Sequence, residues 1–307
     1  MTSATWSAPA RAATRQLRLL SAGCASGGAA AYSQPAWDPA GGTVWFVNFT
    51  DQRIWRLDEG AEPAPVTPEE SGWRFADLIF DARRGRLIAV GELHGRQGDA
   101  EPLNVLVSVE ARPSAPQAPV VIATGADFYG APRLDAHGNR LAWIEWNHPN
   151  MPWDGTRLMV AGVLDSGTLG ESMAVDGGDD IAIVQPSWSP SGALHYVSDR
   201  SGWWNLVRWD GQGTGPDTGI QLLPMTAEFA RPYWNFGQAT YAFTGTALIT
   251  AACTRNGFWS LLTGIGDGLA PLPADIPFDQ IGTVKVMLDG TLLLLAGSGR
   301  EPASIAL

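Results

Sequence analysis

The chain has 307 residues, and 45% of them are hydrophobic, which is enough to build a large core. Its net charge of −11 and isoelectric point near 4.7 argue against a nucleic-acid-binding protein, which needs a basic surface to neutralise phosphates. The sequence contains no run of about 18 apolar residues, which excludes a membrane-spanning helix.

The start of the chain differs from the rest in composition. Residues 1–31 are rich in Ala, Ser, Arg and Gly and form a divergent segment ahead of 32–307. Within that segment only 16–20 has a strand pattern, which predicts either a closing strand for the last repeat or a disordered tail. The two cysteines, Cys24 and Cys253, are far apart and follow no metal-ligand spacing. The sequence therefore predicts reduced thiols and a cytoplasmic protein.

Six copies of one pattern follow along the chain. Each copy has an aromatic or aliphatic residue, then Asp, Asn or Ser, then Gly within a few residues, and then an apolar strand. Counted from the second position of each copy, the intervals are 43, 54, 54, 46 and 54 residues. The six anchor pairs are Trp37-Asp38, Phe80-Asp81, Leu134-Asp135, Trp188-Ser189, Trp234-Asn235 and Leu288-Asp289.

Each anchor pair is followed by a candidate outer strand. A period of about 40 to 50 residues with four strands per period is typical of a β-propeller blade, because a lone sheet cannot bury both of its faces. The sequence therefore predicts an all-β propeller of six four-stranded antiparallel blades, with seven blades as the alternative and a last blade short of outer strand. The candidate outer strands lie at 52–58, 102–110, 156–164, 203–210, 257–264 and 303–307.

The longest insertion inside a repeat is the segment 146–156, WNHPNMPWDGT. Two Trp, one His, one Met and two Pro in eleven residues are unusual for a solvated loop, so the loop either packs as an apolar plug or presents a binding surface. We expect a substrate- or partner-facing loop here. Its candidate residues are Trp146, Asn147, His148, Asn150, Met151, Trp153 and Asp154.

The stretches WNHPNMPWDGTRLMVA, PSWSPSGALHYVSDRSGWWNL and RPYWNFGQATYAF carry a resemblance. Together they resemble the propeller of prolyl oligopeptidase family serine peptidases, in the bacterial acylaminoacyl-peptidase or dipeptidyl aminopeptidase-like branch. The family pattern around the loop is similar to Trp-Asp-His-Pro-Asn-Met-Pro-Trp-Asp, and this chain has Asn147 where Asp is usual. The resemblance covers roughly 32–307 and implies a propeller, usually of seven blades, that caps an α/β-hydrolase domain and limits access to short or unstructured peptides.

The printed sequence departs from that family because it contains no Gly-x-Ser-x-Gly nucleophile elbow. The candidate catalytic group Ser198, Asp199 and His195 has a poor arrangement, since His195 and Ser198 are an odd number of residues apart in a strand and point to opposite faces. A Ser-Asp turn is the preferred interpretation. His94 and His137 lie in Gly-rich turns, and His148 is expected to be a packed loop histidine. We expect no catalytic residue in this chain.

The acidic run VDGGDD is the candidate metal site. Asp176, Asp179 and Asp180 offer oxygen ligands, as in calcium-holding propeller lactonases, but their spacing is not that of an EF-hand loop. Gly125, Gly177 and Gly178 precede no helix N-terminus, so we interpret them as turns and not as a phosphate cradle. The sequence predicts no metal and no cofactor.

Three functions follow from these observations. The first is a non-catalytic propeller module that gates substrates for a prolyl oligopeptidase-type hydrolase domain, with that domain and peptides as its partners, and with no nucleic acid or membrane partner. The second is a stand-alone TolB-like propeller that binds a peptide or protein. The third is a metal-dependent lactonase-type hydrolase.

Overall fold

The computed structural model describes residues 35–38, 40–95, 101–215, 218–266, 271–287 and 289–307. These residues form antiparallel sheets joined by turns and loops. The described part of the chain contains no helix that could cross a membrane. The fold is the predicted all-β propeller, and the described strands form six blades, five of them four-stranded and the last three-stranded.

The described residues up to Thr124 form the first of two compact units. Its described strands make two blades with the orders β1-β2-β3-β4 and β5-β6-β7-β8. Its core is built from alternating apolar residues of both sheets, among them Trp45, Ile54 and Leu87. The strands are β1 Ala36–Asp38, β2 Thr43–Val47, β3 Ile54–Asp58, β4 Ala64–Pro65, β5 Trp73–Asp81, β6 Arg86–Leu93, β7 Leu103–Glu110 and β8 Val120–Ala123.

The described residues from Gly125 to Leu307 form the second unit, and their strands make four blades. The largest core cluster of this unit runs through the first three of them and includes the fully buried Ile144, Tyr196 and Phe229. The strands of the first two blades are β9 Phe128–Leu134, β10 Arg140–Trp146, β11 Arg157–Val163, β12 Leu169–Gly177, β13 Ile183–Trp188, β14 Leu194–Ser198, β15 Asn205–Trp209 and β16 Ile220–Gln221. The strands of the last two are β17 Tyr241–Phe243, β18 Ile249–Arg255, β19 Phe258–Ile265, β20 Leu272–Pro273, β21 Gln280–Val286, β22 Leu292–Gly297 and β23 Ser304–Ala306.

Five of the six anchor pairs mark the turn between the first and second strands of a blade. Asp135 shows why an acidic residue occurs there: its Oδ1 accepts the Asn139 N–H at 2.7 Å and its Oδ2 accepts the Arg140 Nε–H at 3.1 Å. Asp81 holds Arg86 in the same way, at 3.0 Å. The carboxylate therefore ties down the tight turn and the first residue of the second strand at once.

A β-bulge recurs in the first strand of three consecutive blades. Asp77, Ala131 and Gln185 have positive φ angles of 49°, 49° and 55°, and each lies at a register shift of its strand. Each also lies four residues before the second position of its anchor pair, so the three are spaced by 54 residues. This conformation is strained for residues with a side chain, and its repetition shows that the bulge is a built feature of the blade.

The fifth anchor was placed wrongly. Trp234 and Asn235 precede β17, and the turn between β17 and β18 is instead closed at Thr244, whose N–H donates to Leu248 O at 2.9 Å. The apolar strand that follows this pair, β17, is therefore the first strand of its blade and not the second. Residues 231–239 are consequently an extra segment that leads into the blade.

The predicted outer strands are the third strands of their blades, and in the first five blades they are not the outermost ones. Each overlaps the third strand of its blade, and in the first five blades a fourth strand lies outside it. The expected shortness of the last blade is confirmed in the described residues, where only β21, β22 and β23 form it. The divergent segment 1–31 and its candidate closing strand 16–20 lie outside the described residues, as does Cys24.

Candidate functional site

The predicted binding loop connects β10 to β11 in the first blade of the second unit. Trp146 is the last residue of β10, and residues 147–156 lead to Arg157 at the start of β11. Asn147, His148, Met151 and Asp154 are exposed, with 46% of Met151 accessible, while Trp153 is half-buried. The loop is therefore neither a buried plug nor a fully solvated segment.

The first turn of the loop is fixed by a reciprocal pair of hydrogen bonds. Asn147 Oδ1 accepts the Asp127 N–H at 2.8 Å, and Asp127 Oδ2 accepts the His148 N–H at 2.9 Å. The similar family pattern has Asp at this position, and an Asp carboxylate could accept the same Asp127 N–H. The change to Asn147 therefore preserves this hydrogen bond. The pair holds the start of the loop against the residue that precedes β9.

Aromatic rings line the same end of the loop. Trp146 stacks on Phe128 with ring centroids 5.4 Å apart, and the His148 ring meets Phe128 edge-on at 4.9 Å. Phe128 and Trp146 are cross-strand partners in β9 and β10, so the sheet register sets the stack. His148 is therefore an exposed loop residue that touches Phe128 with its ring, and the predicted packing includes this contact.

The other end of the loop lies against the turn between β12 and β13. Asn150 Nδ2 donates to the Asp179 carbonyl at 2.7 Å, and Thr156 Oγ1 both donates to Ile183 O at 3.0 Å and accepts the Ile183 N–H at 2.6 Å. A Cβ added to Gly155 would lie 2.6 Å from Gly178 O and closer still to Asp179 O. Glycine is needed here because two backbone segments approach each other directly.

These two contacts leave a cleft of about 290 Å³ between them. Its lining residues include the acidic Glu145 and Asp179 and the basic Arg157. Glu145 Oε2 accepts the Trp143 Nε1–H at 2.8 Å, whereas Asp179 is 92% exposed and 3.6 Å from Arg157. The remaining lining residues are Trp146, Asn147, His148, Pro149, Asn150, Gly155, Thr156 and Gly178.

The tip of the loop carries a second feature. Trp153 packs on Trp234 with ring centroids 4.1 Å apart and an interplanar angle of 36°, and 69% of Trp234 is exposed. Asp154 Oδ2 accepts the Met151 N–H at 2.8 Å and so closes the tip as a turn. Asp154 is therefore a turn-forming residue, and the pair of indoles is the main apolar surface of the tip.

The seven predicted site residues lie together on one loop, but in two different places. Trp146, Asn147, His148 and Asn150 line the cleft, while Met151, Trp153 and Asp154 form the tip. Sequence reasoning missed the contributions of Phe128, Glu145 and Trp234. Glu145 and Phe128 could have been found from the sequence, because they lie in predicted strands close to the loop. Trp234 could not, because it is 81 residues beyond Trp153, the loop residue that it contacts.

The other candidate groups have structural contacts. Ser198 Oγ accepts the Arg200 N–H at 3.3 Å and Asp199 Oδ1 accepts the Ala182 N–H at 2.9 Å, which confirms the Ser-Asp turn. His195 is buried in β14 and meets Phe243 edge-on at 5.0 Å. His94 Nε2 is 3.0 Å from Glu92 Oε2, and His137 lies in the Asp135 turn.

The acidic run does not converge on one point. Asp176 accepts the Tyr196 hydroxyl at 2.8 Å and forms an ion pair with Arg200, while Asp179 faces Arg157. Among the residues that the structure describes, no group of three or more His, Cys, Asp or Glu side chains could hold a metal ion. Gly177 and Gly178 form the turn beside Thr156.

No family model matches the chain, and no curated protein matches it either. Among solved structures, a puromycin-hydrolyzing peptidase from Mycobacterium tuberculosis is similar, with a TM-score of 0.79 and 30% identity over 89% of this chain. A prolyl endopeptidase has a TM-score of 0.65 at 10% identity over the same share, and a TolB-type protein from Agrobacterium tumefaciens has 0.52 at 11% identity over 87%. The last two show likeness of fold alone.

The coverage of the relatives matters as much as the similarity. The chain spans 42% of the length of the puromycin-hydrolyzing peptidase and 39% of that of the prolyl endopeptidase, but 82% of that of the TolB-type protein. The resemblance to the propeller of prolyl oligopeptidase-type peptidases is therefore confirmed, for a part of those proteins.

Proposed function

We propose that this chain is the propeller part of a serine peptidase related to puromycin hydrolases, and that it binds and admits peptide or aminoacyl substrates without cleaving them itself. The observation that carries the proposal is the likeness to the puromycin-hydrolyzing peptidase over 89% of this chain at 30% identity. The cleaving groups belong to a hydrolase domain, which is the partner that we infer for the propeller.

The loop between β10 and β11 supports a substrate-binding role. It combines a polar cleft of about 290 Å³ with an exposed pair of indoles, and both are held by hydrogen bonds and ring contacts to neighbouring elements. A few convergent polar groups beside aromatic surface are typical of ligand sites. Because its contacts fix the loop, little ordering entropy is lost on binding.

Assays on the purified 307-residue chain test the proposal. We expect puromycin to bind, as measured by calorimetry, and to remain intact in the same sample. We also expect no release of chromophore from aminoacyl or acyl-aminoacyl p-nitroanilides and no labelling by a fluorophosphonate probe. Turnover that a fluorophosphonate abolishes would show a serine nucleophile within this chain and would overturn the proposal.

Trp153→Ala tests whether the loop takes part in puromycin binding, because it removes one indole of the tip. We expect a loss of about tenfold or more in puromycin affinity, the scale expected when an aromatic anchor is truncated. Trp203→Ala is the control, since Trp203 is also exposed, at 40%, but lies outside the loop. Equal losses in the two variants would contradict a role for the loop.

A further inference from the structure

An exposed tryptophan stands on a fixed segment beside the tip of the loop. Trp234 lies within residues 231–239, and 69% of it is exposed. The residues just before it fix that segment: the Arg231 guanidinium donates to the Ile281 carbonyl at 2.7 Å, and Tyr233 is buried in the core cluster of the second unit. Because the backbone that carries the indole is held in this way, little order is lost when the ring binds a ligand.

Trp234 forms a continuous aromatic surface with Trp153, which we call the indole platform. The two ring centroids are 4.1 Å apart, so Trp153 covers one face of Trp234. Since 69% of Trp234 is nevertheless exposed, its opposite face is open in the described part of the chain. A single exposed apolar side chain is common on protein surfaces, whereas two adjoining rings form a patch. A flat aromatic group is the best complement to an open ring face, because offset-stacked rings attract each other beyond the effect of burial.

The indole platform adjoins the polar cleft along the loop. Trp153 is three residues from Asn150 and two from Gly155, and both of these residues line the cleft. Consecutive Cα atoms are about 3.8 Å apart, so the Cα atoms of Trp153 and Gly155 are separated by at most about 8 Å. An extended ligand of about two or three residues can therefore reach both places.

The size of the cleft also favours a ligand that extends beyond it. Its volume of about 290 Å³ is at the lower end of the range for small-molecule sites. A peptide or aminoacyl ligand consequently places only a part of itself in the cleft. The neighbouring side chain then lies over the loop, where the indole platform is available.

We propose that Trp153 and Trp234 bind an aromatic ring of the ligand, while the polar cleft holds the adjoining part of its backbone. This inference rests on the proposed function and names the class of ligand at the same site, namely peptides or aminoacyl compounds with an aromatic side chain. It makes Trp234 a specificity-determining residue that is supplied from outside the loop.

The experiment compares three peptides on the whole 307-residue chain by titration calorimetry: Ala-Phe-Ala amide, the same peptide with cyclohexylalanine in place of phenylalanine, and trialanine amide. Cyclohexylalanine has nearly the shape of phenylalanine and is more hydrophobic, but it has no π electrons. We expect the phenylalanine peptide to bind about three- to tenfold more tightly than the cyclohexylalanine peptide, because only the aromatic ring stacks. Trialanine amide should bind most weakly. Burial of apolar surface alone would give the reverse order for the first two peptides.

Two substitutions of Trp234 then identify the residue. Because Trp234 is mostly exposed, neither substitution should disturb folding. We expect Trp234→Leu to lose the preference for the phenylalanine peptide over the cyclohexylalanine peptide, and Trp234→Phe to keep it. Phe258→Leu is the matched control, since Phe258 is 70% exposed at the start of β19 and lies outside the loop; it should keep the wild-type preference.

The outcomes separate this inference from the proposed function. Equal or reversed affinities of the wild type for the phenylalanine and cyclohexylalanine peptides, or an unchanged preference in Trp234→Leu, would overturn the inference and leave the proposed function standing. A wild-type dimer that Trp234→Leu converts into monomers, as measured by sedimentation, would assign the indoles to contact between copies of the chain and would also overturn it. Failure of all three peptides and of puromycin to bind would overturn both.

Discussion

Asp176 is a buried carboxylate that joins two neighbouring blades. It lies in β12 and accepts the hydroxyl of Tyr196 in β14 at 2.8 Å, and it pairs with Arg200 beyond that strand. Burial, reinforced by the Asp176 charge, raises the pKa of Tyr196, so the phenol stays a neutral donor. The contact is thus one connection between the third and fourth blades.

Replacing Asp176 with Asn should destabilise the protein by about 2 kcal/mol, since Arg200 then loses its charged partner in a partly shielded position. Urea unfolding measures the change in the free energy of unfolding. Asp210→Asn is the control: its carboxylate is 47% exposed beside Arg208 and should matter by less than about 0.5 kcal/mol. A similarly small change at Asp176 would contradict a structural role for its charge.

For Asp199 we expect the reverse of the Asp176 result: loss of the carboxylate should stabilise the fold, by an amount that depends on pH. Burial raises the pKa of Asp199, and the nearby Asp180 charge adds to the effect. A carboxyl with a raised folded-state pKa stabilises the fold most below its unfolded pKa, about 3.9, and loses that contribution as the pH rises through the folded value.

Asp199→Asn should therefore increase the free energy of unfolding near pH 7, because the amide oxygen can still accept the Ala182 N–H at 2.9 Å without bearing a charge. The gain should narrow as the pH is lowered toward about 4, where the wild-type carboxyl becomes neutral. Urea titrations of both proteins at several pH values measure it. A gain that grows at acidic pH would show that the sign is wrong.

At the scale of elements, the close approach of two loops decides the shape of the site. Gly155→Ala places a methyl group against the backbone of residues 178 and 179, which must move apart. We expect a loss of about 1–3 kcal/mol in unfolding free energy, as for other overpacked positions, together with weaker puromycin binding. Thermal unfolding and calorimetry measure the two effects.

Gly162→Ala is the matched control, because an added Cβ at this position in β11 meets no atom within 4 Å. It should leave the affinity for puromycin unchanged and stabilise the strand slightly, by up to about 1 kcal/mol. If both alanine variants bind equally well, the approach at Gly155 does not shape the cleft.

The sequence predicted most strands because each turn has local chemistry. Asp81 and Asp135 bind the Arg five residues later, and that spacing can be read directly from the order of the amino acids. The fifth blade misled the same reasoning because Trp234-Asn235 imitates an anchor, while the turn at 244–248 lacks an Asp. Local patterns cannot distinguish a hairpin turn from a connecting segment of similar composition.

At the scale of the whole molecule, the propeller was predictable because repetition averages over errors in single elements. The site was predictable only in part. Its loop has a distinctive composition, but the contacts of Phe128, Asp179 and Trp234 depend on which strands and turns become neighbours in space. The spacing of the three bulges, at 54 residues each, was likewise present in the sequence but had no residue signature, since Asp77, Ala131 and Gln185 share no side-chain type.

The packing of Trp153 on Trp234 also bears on protein engineering. A graft of residues 147–156 into a foreign scaffold would carry one indole and leave the other behind. The surface is therefore built from two separate segments, 147–156 and 231–239. A recipient scaffold has to hold both segments at the distance found in this protein.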